Sequence, residues 1–150
     1  AFRPGDPVAL LSLLKHPLLG LGLERASVRH AAEIVELVAL RGGTGRPDVA
    51  SLPQLFDARL AEFDHGGNRR PPFWRSRLSV RRIEQARDLL IRLTAALAPL
   101  VAFRGEENAD LATLVRASVG VLESLGRAAD GSLNELYAGD AGEKLAELLR

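Results

Sequence analysis

The stretch from Asp6 to Leu23, DPVALLSLLKHPLLGLGL, constrains the fold more than any other part of the chain. Asp6 suits an N-cap and Pro7 the first helical position, where a missing backbone N–H costs nothing, so a helix is predicted to start there. Val8, Leu10, Leu11, Leu13 and Leu14 crowd apolar surface around almost its whole circumference, which predicts a buried helix around which the rest of the chain is organised. His16 precedes Pro17 and is biased out of the α region, so the helix should stop near Lys15. The LLGLGL that follows is too short for a second helix and too apolar for a solvated loop. It reads as a buried turn.

Composition enters where it excludes classes. A chain of 150 residues, 47% hydrophobic and 26% charged, is an ordinary globular sequence long enough for one sizeable core, so residues 1–150 are read as one helical domain. There is no cysteine, which removes disulfides, thiolate metal sites and a cysteine nucleophile. The apolar run from Val8 is interrupted by Lys15, His16 and Pro17, too soon for a segment that needs about 20 residues to span a bilayer. It also lacks a signal peptide's basic start and cleavage site. No membrane partner and a cytoplasmic location are therefore expected. The chain starts at Ala1 and holds no methionine, as a piece of a longer protein would.

Leu and Ala dominate, and apolar residues recur at three- and four-residue steps rather than in alternation. Helix two is predicted over about 26 to 41, opening at Ser27 and closing at Gly42-Gly43. Helix three follows a Ser51 cap, with Pro53 in its first turn, and ends near Asp64. Ser79 caps the best helix of the sequence, running to about Ala98, where Pro99 kinks or ends it. A fifth helix is predicted from about Asn108 to Ala129. A short turn from Leu133 to Tyr137 precedes a last helix capped by Asp140. The expected fold is all-α, an irregular bundle of five to six helices.

Most candidate chemistry has an ordinary explanation. RGGTGR, Arg41 to Arg46, lacks the Gly-Lys-Ser/Thr ending of a phosphate loop and follows a helix rather than a strand, so it reads as a helix stop and loop. His16, His30 and His65 have no spacing that puts two on one helix face, so no metal site is predicted. Glu106, Glu107 and Asp110 sit at a helix start, where exposed amides favour negative charge. Ser12, Ser27, Ser51 and Ser79 lack a nucleophile's setting, and no catalytic residue is assigned.

Charge asymmetry is the one signal above this background. The formal charge is +1, but residues 69–104 carry nine Arg against Glu84 and Asp88, net +7, while residues 105–150 carry net −5. Arg69, Arg70, Arg75, Arg77, Arg81 and Arg82 surround Pro71-Pro72 and the only tryptophan, Trp74. Arginines can hold phosphate bidentately and Trp74 can stack on a base, so these seven residues form a candidate DNA-binding segment. The competing reading pairs the arginines with the acidic last third, or leaves them to solvate helix four, and places Trp74 in the core. Arginine is also the chain's general choice of cation, 18 Arg to 2 Lys, which dilutes the signal.

Three segments resemble a known family in the same order: DPVALLSLLKHPLLGLGL, the ELVALRG that ends helix two, and LYAGDAGEKLAELL at the C-terminus. They are similar to the AddB subunits of bacterial AddAB helicase-nucleases of the alphaproteobacterial type. In the last segment the family's usual version contains tryptophan and glutamate, where this chain has Tyr137 and Asp140. The resemblance runs end to end through this chain and covers an internal part of a much longer subunit. It implies the inserted helical subdomain of a superfamily 1 helicase-like protein, in a complex that processes double-strand breaks for recombination. DNA and the AddA subunit are the implied partners. ATP and Mg are implied for the parent complex, with no cofactor in this part. The family's nuclease carboxylates and any phosphate-loop lysine lie outside the resembling region, so no catalytic residue carries over. Two roles follow: a DNA-guiding accessory subdomain, or a module that packs against the rest of AddB or against AddA.

Overall fold

A computed structural model describes residues 6–41, 48–65, 72–106 and 109–149, with backbone alone for His65 and Arg77. Its helices are α1 (Pro7–Leu14), α2 (Arg25–Val35), α3 (Leu52–His65), α4 (Val80–Val101), α5 (Leu111–Gly126) and α6 (Gly139–Leu148). Among the described residues there is no strand, so the chain is the all-α bundle that its periodicity predicts. No helix among them is long and apolar enough to cross a membrane.

The centre of this bundle is α4, which packs against α2, α3 and α5. Ser79 caps it as expected, its hydroxyl accepting from the Arg82 N–H at 3.4 Å. Ala86, Leu89, Leu90, Leu93 and Leu97 then recur on one face and are all buried. Burying a leucine of this kind contributes about 1.5–3 kcal/mol, so this face is the main source of cohesion. The helix neither kinks to a stop nor ends at Ala98. It runs through Pro99 to Val101. The bond that Pro99 cannot donate would have gone to the carbonyl of Ala95, an exposed residue whose carbonyl water can serve.

The opening stretch forms as read but does not hold the centre. Asp6 accepts from the Val8 N–H at 3.0 Å and Pro7 begins α1. Only Leu10 and Leu14 of α1 are buried, and Val8 is 70% exposed. Eight residues make barely two turns, and such a helix can bury one face against α2 and no more. Burial is concentrated instead in the turn after it, where Leu19 and Leu21 join the core.

That turn closes on the end of α5. The N–H groups of Gly20 and Leu21 donate to the Leu125 carbonyl at 2.8 and 3.2 Å, and Gly22 donates to the Arg127 carbonyl at 2.8 Å. These bonds serve carbonyls that a helix end leaves without intrahelical partners. A Cβ on Gly20 would stand 2.2 Å from the Arg127 carbonyl oxygen, so only glycine fits there. Leu21 adopts a positive φ of 52°, which costs a non-glycine residue about 1–2 kcal/mol and is offset by burial of its side chain.

Other boundaries moved for local reasons. Helix α2 starts at Arg25, so Ser27 lies inside it, and Glu36–Leu40 continues it as a π-helical turn. The wider turn sets Arg41 over Glu36, whose carboxylate also takes Lys15 from the end of α1 at 2.7 Å. Both cations hold the Glu36 carboxyl below the usual range, Lys15 contributing most. Ahead of α3, Asp48 rather than Ser51 does the capping. It accepts from the Ala50 N–H at 3.4 Å and starts a 3-10 turn over Val49–Ser51 that runs into α3. Helix α5 is shorter than predicted at both ends: Asp110 caps its start by accepting from the Thr113 N–H at 3.0 Å, and the backbone turns extended at Arg127. In α6 the cap position is Ala138, and Asp140 lies inside the first turn. The loop from Gly42 to Arg46 lies outside the described residues.

Candidate nucleic-acid interface

The basic segment begins where α3 ends. Arg69 and Arg70 lie outside the described residues, as does the side chain of Arg77. From Pro72 the chain makes a turn, then a short 3-10 turn at Arg75–Arg77, and enters α4 at Val80. Two contacts tether it to α3. The Trp74 ring meets Phe63 edge to face, with centroids 5.1 Å apart and planes at 85°. The Arg75 guanidinium grips Asp64 through two nitrogens, Nε to Oδ1 at 3.0 Å and Nη2 to Oδ2 at 2.8 Å. Trp74 is half-buried by this packing, and Phe73 beside it is 78% exposed.

Farther along, the arginines continue to find carboxylates within the bundle. Arg87 donates to Asp57 through Nε and Nη2 at 3.0 and 2.7 Å. Arg104 donates through Nη1 to both oxygens of Asp48 at 2.8 Å. The hydrogen bond from Arg104 holds the Asp48 carboxyl below its ordinary range, and that from Asp57 raises the affinity of Arg87 for its proton. Arg92 pairs with Asp88 one turn earlier, as the i, i+4 spacing predicts, and reaches the Leu21 carbonyl at 3.3 Å.

The counter-ions of these arginines therefore come mainly from α3 and the turn before it, not from the acidic last third. Asp57 and Asp64 are seven residues apart and share one helical face, a signal present in the sequence but easily overlooked beside the larger acidic excess downstream. The last third contributes to other pairs. Glu135 pairs with Arg25, and Asp110 lies 4.0 Å from Arg116.

Arg81 and Arg82 differ from the rest. Both are exposed in the first turn of α4, and neither forms an ion pair among the described residues. That turn contains no acidic residue. The free N–H groups of a helix start carry partial positive charge, so a cation there is unfavourable by about 0.3–1 kcal/mol. A phosphate at that turn would convert the cost into attraction.

No other chemistry competes with this corner. Among the described residues no group of three His, Asp or Glu side chains could hold a metal ion. His16 accepts through Nδ1 from the Leu18 N–H at 3.2 Å, a local turn bond. Asp110 has a capping role, and Ser12 donates back to the Val8 carbonyl at 2.8 Å. Of the seven proposed DNA contacts, Arg81 and Arg82 are exposed in the first turn of α4, and Trp74 and Arg75 are committed to α3. In the comparisons with known proteins, no family model, no curated protein and no solved structure matches this chain.

Proposed function

We propose that the chain is a non-catalytic helical accessory module of a DNA double-strand break repair helicase-nuclease subunit of the AddB kind, contacting DNA in the cytoplasm through the first turn of α4. The observation that carries the DNA contact is the placement of Arg81 and Arg82 at the positive end of a helix with no acidic neighbour in that turn. A sequence that breaks a local electrostatic rule without an internal gain has its compensation elsewhere, and a phosphate backbone supplies it. Arg69, Arg70 and Arg77 belong to the same basic segment and extend the contact. The family assignment is supported by the three segment resemblances and is compatible with an all-helical accessory part. ATP and Mg would belong to the parent complex.

A second reading is favoured by a different observation. Arg75, Arg87, Arg92 and Arg104 all pair with carboxylates of the chain itself, so much of the basic excess is structural. On that reading the chain is a protein-interaction module that packs against the rest of its subunit or against AddA. Binding of a labelled duplex with a single-stranded tail, measured by fluorescence anisotropy at low salt, separates the two. The DNA reading expects Arg81→Gln/Arg82→Gln to weaken binding at least tenfold. Unchanged binding in that variant, or none in the unmodified chain, supports the interaction module alone.

A further inference from the structure

Helix α5 carries more apolar surface than the bundle uses. Leu111, Val115 and Leu122 lie on one face of the helix, and Ser118 between them donates its hydroxyl back to the Leu114 carbonyl at 2.8 Å. Leu111 is 72% exposed and Val115 48% exposed. The only buried residue of the helix is Val121, on the adjoining face that meets α4. The stripe spans about 16 Å at 1.5 Å per residue and does not end on open surface. At Leu122 it enters a cavity of about 240 Å³, walled mainly by Leu13, Leu19, Leu125 and Leu136, with His16 as its one polar side chain. A second hollow adjoins it, sharing Leu18, Leu19 and Gly126, and is rimmed by Glu24, Asp130 and Glu135 with Arg25 as its one basic side chain.

We propose that this face of α5 is a docking groove for an amphipathic helix of a partner protein. Such a helix sets apolar residues at matching three- and four-residue steps along the stripe and a large apolar side chain in the cavity. It lays lysines or arginines against Glu24 and Asp130. The stripe fits ridge-into-groove packing of a second helix, and the apolar hollow at its end supplies a pocket in which an anchor residue concentrates binding energy. The rim decides the partner's charge: Arg25 answers Glu135, and the carboxylates of Glu24 and Asp130 then favour a basic end and repel an acidic one. A second copy of the chain offers the same stripe with the same acidic end, so pairing α5 with α5 gains no charge complementarity. The groove deepens the interaction-module reading and rests on it, while the DNA titration can succeed or fail without bearing on it.

The test uses a displayed library of helical peptides with apolar residues fixed at steps of four, three and four and all other positions random, selected on the 150-residue chain. Enriched peptides are expected to carry Lys or Arg at the end that lies over the rim. Their affinity should fall at least tenfold on Val115→Glu or on Leu111→Lys, two exposed sites where circular dichroism should be unchanged. It should fall about threefold or more on Glu24→Gln/Asp130→Asn. Enrichment of acidic peptides, or binding indifferent to both α5 variants, overturns the proposal. So does a failure to enrich any peptide. A dimer of the chain in sedimentation that Val115→Glu dissociates also overturns it, in favour of a second copy.

Discussion

Helices α4 and α5 are the two longest of the bundle, and they use their apolar residues in opposite ways. In α4 the side chains of Ala86, Leu89, Leu90, Leu93 and Leu97 are buried in the contacts with α2, α3 and α5, and Val80 and Ile91 stay exposed. In α5 apolar residues spread farther around the helix, and a single side chain, Val121, is buried. Apolar content alone does not tell a reader which helix is central. The neighbours around the helix do, because α4 packs against α2, α3 and α5, whereas α5 packs chiefly against α4. The two proposed surfaces follow from the same contrast. On the proposed readings, the charged first turn of α4 meets DNA and the uncovered stripe of α5 meets a protein.

The contrast is sharpest in stability. Leu93→Ala in α4 removes a fully buried side chain and should destabilise the chain by about 2–5 kcal/mol in urea unfolding. Val115→Ser in α5 should cost under about 0.5 kcal/mol, as an exposed site does. Equal losses at the two positions would break the comparison.

The seam between α5 and the opening stretch should be nearly as sensitive as the core. Gly20→Ala places a Cβ 2.2 Å from the Arg127 carbonyl oxygen and forces the turn off the end of α5. A loss of about 2–3 kcal/mol is expected, since both overpacking and unmade hydrogen bonds contribute. Amide exchange at Leu21 and Gly22 should accelerate in any fraction that remains folded. Gly120→Ala is the control, because nothing lies within 4 Å of its Cβ, and it should stabilise by about 0.5–1 kcal/mol.

A smaller effect should be seen at the junction of α1 and α2. Glu36→Gln weakens the pairs to Lys15 and Arg41 and should cost about 1 kcal/mol near neutral pH. Because folding depresses the pKa of Glu36, its contribution is complete above the ordinary carboxylate value and is lost as the pH falls through that value toward the depressed one. The difference between the parent chain and Glu36→Gln should therefore shrink in acid. A difference constant from pH 7 to pH 3 would contradict the assignment.

Much of the architecture was legible in the sequence, because caps and periodicity are local. Asp6 and Ser79 start helices where expected, and Gly20 and Gly22 mark a turn that is in fact tightly packed. What was not legible depends on distant partners. The apolar crowding of α1 looked central, but eight residues cannot be surrounded when α4 offers a longer face to the same neighbours. The partners of the arginines are hidden for a related reason. Net charge along the chain pointed to the acidic last third, whereas proximity gave Arg75 and Arg87 to the carboxylates of α3. Pairing in a fold follows distance, and distance is not readable from a running charge sum.

The most direct measurement is the salt dependence of DNA binding by the parent chain, by Arg81→Gln/Arg82→Gln and by Arg87→Gln. Each phosphate contact on duplex DNA contributes about 0.9 to the slope of log affinity against log salt, so losing Arg81 and Arg82 should lower the slope by about two. Arg87 is committed to Asp57, and its loss should leave the slope unchanged. Equal slopes for the parent chain and Arg81→Gln/Arg82→Gln would contradict the assignment of the first turn of α4 to DNA.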